Sequence, residues 1–276
     1  MVHFVGAGPG AADLITLRGA KLLAEADVII YAGSLVNPEL LDRKKADCRV
    51  HNSAYMTLEQ VMEVIGQAET AGLTSVRLHT GDPSLYGAVR EQMDALEKMG
   101  ISYDVCPGVS SFCGAAASLG MEFTLPGVSQ TLVITRMAGR TPMPERESIR
   151  ALAAHRASMA VFLSAGMAET LAGELMAGGY PPETPAALVY KATWPEERRV
   201  VCTVETLGRR AREENMTKTT MILVGDAVAH ASYDRSLLYH PEFTTEYRTA
   251  SHGALEPCGA PENAPDPAPV GEESRT

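Results

Sequence analysis

Three glycine-containing segments carry residue types that can bind a small molecule through the backbone. They are residues 6–10 (Gly-Ala-Gly-Pro-Gly), 80–87 (Thr-Gly-Asp-Pro-Ser-Leu-Tyr-Gly) and 107–111 (Pro-Gly-Val-Ser-Ser). Glycine has no Cβ to keep a ligand off the main chain, and Asp82 can cap a helix or accept a ligand hydrogen bond. One Gly-Asp-Pro run is equally typical of a tight turn, but three such segments in succession favour a shared binding site.

Each of these segments follows a short apolar run that is predicted to form a strand, at residues 3–5, 75–79 and 101–105. The central segment is also predicted to open a helix that runs to about Met99, because Pro83 suits the first helical turn. In parallel α/β sheets the carboxyl ends of the strands share one edge, and ligands bind there. The three segments are therefore predicted to line one crevice.

Strands and helices alternate in both halves of the chain, which predicts an α/β fold of two domains with largely parallel sheets and a ligand cleft between them. The predicted N-terminal domain covers residues 1–122 and the C-terminal domain residues 131–246. Pro126 and Gly127 interrupt the pattern in between, so residues 123–130 are predicted to form a hinge. Residues 247–276 contain few large apolar side chains and are predicted to be a disordered tail.

The first segment also matches the loose dinucleotide fingerprint G-x-G-x-x-G/A, through Gly6, Gly8 and Ala11. That fold begins its helix inside the motif and needs an acidic residue at the end of the second strand. Here Thr16 is the predicted N-cap, and the second predicted strand leads into Ala-Gly-Ser at residues 32–34. An oxidoreductase that uses a nicotinamide or flavin cofactor is therefore a disfavoured alternative.

Composition and missing motifs exclude several other classes of protein. The net charge of −10 argues against nucleic acid as a partner, since phosphate binding needs a basic face. The five cysteines form no CxxC pair, so neither a disulfide framework nor a metal site is predicted. The chain lacks the G-x-S-x-G, H-E-x-x-H and P-loop motifs. It also has no long apolar run and no basic leader, so a cytoplasmic protein without a membrane partner is expected.

Taken together, the three segments resemble the tetrapyrrole (corrin/porphyrin) methylase family, which transfers methyl from S-adenosylmethionine to a porphyrinogen-derived ring. The resemblance covers roughly residues 2–245 and includes two further motifs, at residues 14–19 and 219–225. Local sequences at residues 31–39, 84–87 and 189–196 are similar to the corrin-forming branch. The siroheme-forming branch has Gly-Gly-Asp-Pro-Phe in the central loop, from which Thr80 and Ser84 depart.

The resemblance implies that S-adenosylmethionine lies between the domains and that the protein is a homodimer. Most of the contacts would be made by backbone, which explains why small residues suffice. A non-catalytic scaffold that keeps only the fold is a further alternative, but the intact loops count against it. The implied donor-binding residues are Pro9, Thr80, Gly81, Asp82, Leu85, Ser110 and Ser111 from the first domain, and Leu163, Ala187 and Thr220 from the second.

The implied acceptor is a ring that carries several carboxylates, so it needs local cations in an acidic protein. Arg136 is the leading candidate because it directly follows a predicted strand of the second domain, and Lys191 and Tyr86 are the other substrate candidates. Methyl transfer to an electron-rich ring carbon needs no covalent enzyme intermediate. No catalytic base is assigned, and Asp47 and Asp104 are candidates only because they fall near loops that bound the predicted cleft.

Overall fold

The computed structural model describes residues 1–229 and 232–250. Most of the predicted tail, from residue 251 onwards, lies outside the described residues. Two five-stranded sheets organise the chain, one in each half. The prediction of two α/β domains is therefore confirmed.

The first sheet is entirely parallel, with the strand order β3-β2-β4-β1-β5. All of its carboxyl ends consequently lie at one edge, as the sequence predicts. The central strand of the sheet is buried along its whole length. The strands are β1 (Val2–Gly6), β2 (Val28–Tyr31), β3 (Arg49–Asn52), β4 (Ser75–His79) and β5 (Tyr103–Cys106).

Helices cover both faces of this sheet, and sequence signals fix where two of them begin. Thr16 accepts a hydrogen bond from the Gly19 amide at 3.1 Å and caps α1. Thr57 and Gln60 form a capping box at the start of α2, a pattern that the Thr-x-x-Gln sequence indicates. The helices of the first half are α1 (Leu17–Glu25), α2 (Leu58–Thr70), α3 (Arg90–Met99) and α4 (Ser111–Leu119). Within the described ranges, no helix has both the length and the apolar content needed to cross a bilayer.

The predicted helix in the central segment was placed too early in the chain. Helix α3 begins only at Arg90, and residues 80–89 form an irregular loop, which we call the central loop. Gly81, Tyr86 and Ala88 have φ angles of 61°, 57° and 48°. These left-handed conformations are incompatible with a right-handed helix, so the chain turns here instead of coiling.

The second sheet is mixed, which departs from the largely parallel arrangement that the sequence predicts. Its order is β6-β7-β10-β8-β9, and only β6 and β7 pair in parallel. Residues 191–197 between β8 and β9 are too few for a parallel crossover, which needs about a dozen residues or more. The strands are β6 (Leu132–Arg136), β7 (Ser158–Phe162), β8 (Pro185–Tyr190), β9 (Arg198–Thr203) and β10 (Thr220–Val224).

This topology places the ends of β6, β7 and β8 and the start of β10 at one edge of the second sheet. Three helices and the strands of this half enclose one apolar core, with Leu171, Leu188 and Ile222 among its buried residues. The helices are α5 (Ile149–Ala153), α6 (Ala168–Ala177) and α7 (Leu207–Glu213).

Helix α4 joins the two halves. Its Ala115 is fully buried in a cluster with residues of the second sheet, among them Ala187 and Leu223. A Cβ at Gly114 would lie only 2.8 Å from the Pro9 Cβ, so the small residues of α4 permit close packing on two sides. We retain residues 123–130 as the proposed boundary between the domains, since they connect this helix to β6.

Candidate active site

The three glycine-containing loops meet at the carboxyl edge of the first sheet. The Ala7 amide donates to the His79 carbonyl at 2.7 Å, and Gly8 and Gly81 exchange backbone hydrogen bonds of 3.2 and 2.9 Å. The Gly108 amide donates to Oδ2 of Asp82 at 2.9 Å and so attaches the third loop to the other two. The loops therefore form one connected backbone platform.

Glycine is required in this platform because the loops approach each other so closely. A Cβ at Gly6 would lie 2.5 Å from the Gly108 Cα, and one at Gly108 would overlap the Gly81 carbonyl. Gly81 instead faces the start of α4, where a Cβ would lie 3.5 Å from the Ser110 Cα and the Ser111 amide. Gly6 and Gly108 thus serve backbone packing, and Gly81 keeps the space beside α4 open.

Asp82 holds the central loop in place and does not cap a helix. Its Oδ1 accepts a hydrogen bond from the Ser84 amide at 2.9 Å and another from the Ser84 hydroxyl, while Oδ2 accepts from Gly108. Burial alone would raise the pKa of Asp82, but these hydrogen bonds outweigh it and leave the pKa lowered. The ionised carboxylate therefore ties two of the three loops together.

The start of α4 lies beside this platform with its first turn open to a ligand. Ser110 is buried, precedes the helix in an extended conformation and makes no capping hydrogen bond with its side chain. The first amides of a helix have no partner within the helix and favour negative or accepting groups. Ser110 and Ser111, both predicted donor-binding residues, therefore lie at this helix start.

A buried hydroxyl without a partner lies at the base of the central loop. The Thr80 Oγ1 atom is buried and makes no hydrogen bond within the described part of the chain, and the same holds for the Nε2 atom of the neighbouring His79. Leaving a buried polar group unpaired is costly, so such atoms in a native site call for an explanation. A bound molecule that supplies a partner to Thr80 is one such explanation.

The second sheet brings three of the other predicted residues to its own site-facing edge. Leu163 directly follows β7, is 70% exposed and has a φ of 53°. The Lys191 amide donates to the Thr219 carbonyl at 2.9 Å, next to the predicted Thr220. Ala187 lies three residues inside β8 and is fully buried under α4, so its side chain is not at this edge.

Aromatic and polar contacts connect the two domains around these edges. The Tyr86 ring, which is 44% exposed, lies 5.1 Å from the Phe162 ring at the end of β7. On the other side of the platform, the Ala11 amide donates to the Thr193 hydroxyl at 2.9 Å. Any side chain at Gly10 would overlap Trp194. Tyr86 thus reaches the second domain from the central loop, as expected for a residue of an interdomain site.

Both predicted cations lie at the same edge, and both already have partners. Arg136 is the last residue of β6, and its guanidinium donates to the carbonyls of Met137, Thr141 and Pro142 at 3.0, 3.2 and 3.0 Å. Lys191 Nζ lies 3.5 Å from a Glu196 carboxylate oxygen and 5.1 Å from the centre of the Trp194 ring. Arg136 therefore orders the loop after β6, with part of its donor capacity left for a ligand.

The two candidate bases lie away from the site. Asp104 is the second residue of β5, and its carboxylate is bound to His3 Nδ1 at 2.6 Å. Asp47 is exposed and precedes β3, at the amino edge of the sheet. Closeness in sequence to a loop was misleading, because in a parallel sheet the start and the end of a strand lie at opposite edges. Neither carboxylate is retained as a catalytic candidate.

Sequence reasoning missed Phe162 and Asn37 as residues that shape the site. Asn37 is buried, and its Nδ2 donates to the Gly10 carbonyl at 2.9 Å. The Asn-Pro pair at residues 37–38 is a recognisable helix start, so a signal for Asn37 was present. Phe162 had no such signal, since a phenylalanine at the end of a strand is typical of any core.

His79 makes folding of the first domain sensitive to acid. Burial and the nearby positive charge of Arg77 lower the pKa of His79 to about 3. The unfolded chain, with an ordinary histidine pKa, binds the proton more readily, so stability is lost as pH falls below about 6.5. Between the unfolded and the folded pKa of His79, the free energy of unfolding decreases by up to about 1.4 kcal/mol per pH unit.

We expect His79→Asn to remove this contribution. Urea unfolding of the two proteins at pH 7, 6 and 5 measures it, because the stability of the native protein should fall more steeply. Parallel losses in both proteins would contradict the assignment.

Comparison with known proteins agrees with this architecture. Residues 1–208 match the family model described as Tetrapyrrole (Corrin/Porphyrin) Methylases. The cobalt-precorrin-4 C(11)-methyltransferase of Methanocaldococcus jannaschii is 50% identical over 247 residues, which cover 90% of this chain and 95% of that protein.

Two solved structures are similar over nearly their full length. A cobalt precorrin-4 methyltransferase of cobalamin biosynthesis superposes with a TM-score of 0.81 at 42% identity, covering 82% of this chain and 95% of the other. The uroporphyrin-III C-methyltransferase of Thermus thermophilus, in complex with S-adenosylhomocysteine, gives 0.70 at 26% identity, covering 85% and 96%. With its three connected loops and a family match over most of its length, the chain belongs to the tetrapyrrole (corrin/porphyrin) methylases.

Proposed function

We propose that this protein is an S-adenosylmethionine-dependent C-methyltransferase that methylates C11 of precorrin-4 or cobalt-precorrin-4 in cobalamin biosynthesis. The observation that carries the proposal is the 50% identity, over nearly the whole of both chains, to a relative named for this reaction. The intact loop platform supports it, because the hydrogen bonds that Asp82 makes are in place. The alternatives are methylation at another ring position and methylation of uroporphyrinogen III for siroheme.

The chain offers the groups that such a methyl donor needs. Among the described residues, the buried Thr80 hydroxyl has no hydrogen-bond partner, and the first amides of α4, next to Ser110 and Ser111, have no side-chain cap. Gly81 leaves room between them. We assign the donor to this space, with Pro9, Asp82 and Leu85 shaping the platform and Leu163 and Thr220 facing it from the second domain.

The chemistry that the donor supplies is an electrophilic methyl group on a sulfonium. The protein has to hold an already electron-rich ring carbon in line with that methyl group and to keep water away. Well-oriented reactants gain on the order of 7–11 kcal/mol in this way. Exposed apolar residues at the meeting edges, Leu163, Val109 and Tyr86, provide surfaces that a flat ring can cover. Asp47 and Asp104 take no part in this step.

Arg136 is proposed to bind a carboxylate of the ring, with Tyr86 and Lys191 at the same edge. Arg136→Ala should weaken tetrapyrrole binding about tenfold and leave S-adenosylhomocysteine binding intact. The reason is that the lost charge-assisted hydrogen bond is one to the tetrapyrrole. The loss should shrink at high salt. Titration calorimetry with each ligand measures it.

Because Arg136 also orders the loop after β6, a control must separate the two roles. Arg136→Lys keeps the charge but lacks the planar fork of nitrogens with which Arg136 reaches three carbonyls, so it should retain part of the tetrapyrrole affinity if charge matters. Equal losses for both ligands would point to a folding role. No loss for either would leave Arg136 outside the substrate site.

The reaction itself decides between the alternatives. Purified protein should convert precorrin-4 or its cobalt form into a product heavier by one methyl group, which NMR places at C11. Uroporphyrinogen III should not be methylated. A titration with NADPH in place of S-adenosylhomocysteine tests the remote oxidoreductase alternative, and tight NADPH binding would contradict the proposal.

The family resemblance also supports a homodimer and a cytoplasmic enzyme, and we propose both on that ground alone. Sedimentation should give twice the chain mass of 29.4 kDa. A monomer that does not change with concentration would contradict the dimer.

A further inference from the structure

A chain of buried polar side chains runs from the first sheet to the end of the central loop. Arg77 lies in the middle of β4 and is 7% exposed. Its Nε donates to Oε1 of Gln92 at 3.0 Å, and its Nη1 donates to the Ile30 carbonyl at 3.1 Å. Gln92, on the first turn of α3, then donates from Nε2 to the Ala88 carbonyl at 2.9 Å. The sheet is thus connected to the loop through two side chains.

The charge of Arg77 fixes which way the side-chain amide of Gln92 is oriented. Burial lowers the pKa of Arg77 to about 10, and the ion pairs among the described residues do not include it. A buried cation must keep its hydrogen-bond acceptors, since losing one leaves a charged donor unpaired. The amide oxygen of Gln92 must therefore face Arg77, which leaves the amide nitrogen facing Ala88.

The loop that this chain reaches is strained at that end. Ala88 and Tyr86 have φ angles of 48° and 57°, which non-glycine residues adopt at a cost and keep only when the surroundings enforce them. The other end of the loop is held by Asp82 through its bond to Gly108. Between the two anchors lies Tyr86, whose ring packs 5.1 Å from that of Phe162.

We infer that Arg77 and Gln92 are positioning residues, which hold Ala88 and thereby fix Tyr86 against Phe162 where the acceptor ring binds. The nature of the ligand rests on the proposed function, whereas the anchoring of the loop does not. Within the described part of the chain, the hydrogen bonds of the Arg77 and Gln92 side chains meet the central loop only at Ala88, at the opposite end from Thr80 and Gly81. Disturbing these hydrogen bonds should therefore weaken binding of the tetrapyrrole more than binding of S-adenosylmethionine.

Gln92→Glu is the informative variant. A carboxylate still accepts from Arg77, so the buried charge stays paired, but it cannot donate to Ala88 and repels that carbonyl. We expect hydrogen exchange of the amides of residues 84–89 to become at least tenfold faster. The KM for the tetrapyrrole should rise about tenfold, since one anchoring hydrogen bond is lost, while S-adenosylhomocysteine affinity stays within twofold.

Two further variants complete the test. Gln67→Glu adds the same charge on the exposed face of α2 and should change none of these values. Tyr86→Ala should raise KM by itself, and combining it with Gln92→Glu should add little, because both remove the same contact. If Gln92→Glu does not fold, Arg77→Lys replaces it, since lysine keeps the charge but cannot serve Gln92 and Ile30 with the same geometry.

Unchanged exchange in residues 84–89 would overturn the anchoring. Faster exchange with an unchanged KM, in an enzyme that methylates a precorrin, would overturn the positioning role. Fully additive effects of Tyr86→Ala and Gln92→Glu would do the same. If the native protein methylates no precorrin, the proposed function fails, and the exchange measurement alone then upholds or overturns the anchoring of Tyr86.

Discussion

Gly81→Val should weaken S-adenosylhomocysteine binding by about 100-fold or more, which corresponds to about 2.7 kcal/mol. The Cβ of the new side chain would lie 3.5 Å from the Ser110 Cα and the Ser111 amide, which is ordinary contact. The two valine methyl groups extend further and fill the space between the central loop and the start of α4. Binding should therefore fail because the site is occupied, and titration calorimetry measures the loss.

The control for this variant is Gly100→Val. Gly81 and Gly100 have φ angles of 61° and 69°, so valine carries a similar conformational cost at both positions, on the order of 1–3 kcal/mol. Gly100 ends α3, and a Cβ there would meet no atom within 4 Å. The melting temperature should decrease by a similar amount in both variants, but only Gly81→Val should lose affinity for S-adenosylhomocysteine. Unchanged affinity in a folded Gly81→Val protein would remove the central loop from the donor site.

The convergence of the three loops was predictable because its signals are local. Glycine and proline after an apolar run mark the carboxyl end of a strand, and parallel pairing then brings such ends to one edge. The caps at Thr16 and Thr57 were predictable for the same reason, since each involves residues only three apart. These features depend on short stretches of sequence, which carry the information needed to find them.

The predictions that failed have three other physical origins. The left-handed conformations of Tyr86 and Ala88 accompany a contact between the rings of Tyr86 and Phe162, which are far apart in sequence, so no local pattern announces the irregular loop before α3. The antiparallel insertion of β10 between β7 and β8 is a choice of strand order, which hydrophobic periodicity does not encode. Asp104 illustrates a third kind of error, because its distance from the site follows from strand direction and from its contact with His3.

The contact between Tyr86 and Phe162 also depends on how the two domains pack, which the small residues of α4 control. The sequence shows that α4 can pack closely but not against which surface. Substrate-binding candidates were therefore harder to place than donor-binding ones. The three-loop platform is built within one domain, whereas the proposed acceptor side needs both.

Asp82→Asn should cost about 2 kcal/mol of unfolding free energy, because it removes the charged acceptor and sets an amino group against one of the two backbone amides that Asp82 serves. An asparagine oxygen can serve either Ser84 or Gly108, and its amino group then opposes the other amide. With the central loop and the 107–111 loop no longer tied, S-adenosylhomocysteine affinity should fall about 30-fold, which matches about 2 kcal/mol. Urea unfolding and titration calorimetry measure the two losses.

Ser84→Ala is the matched control, because it removes one hydrogen bond within the central loop and keeps the bond between Asp82 and Gly108. It should change affinity less than threefold. The pH dependence gives a further check. Because the pKa of Asp82 is lowered in the folded protein, its contribution to stability is present above the unfolded pKa and is lost as pH falls. The unfolding free energy of Asp82→Asn should therefore fall less steeply at acid pH than that of the native protein. Equal effects of Asp82→Asn and Ser84→Ala would mean that the tie to Gly108 contributes nothing, and that the platform is held by its backbone contacts alone.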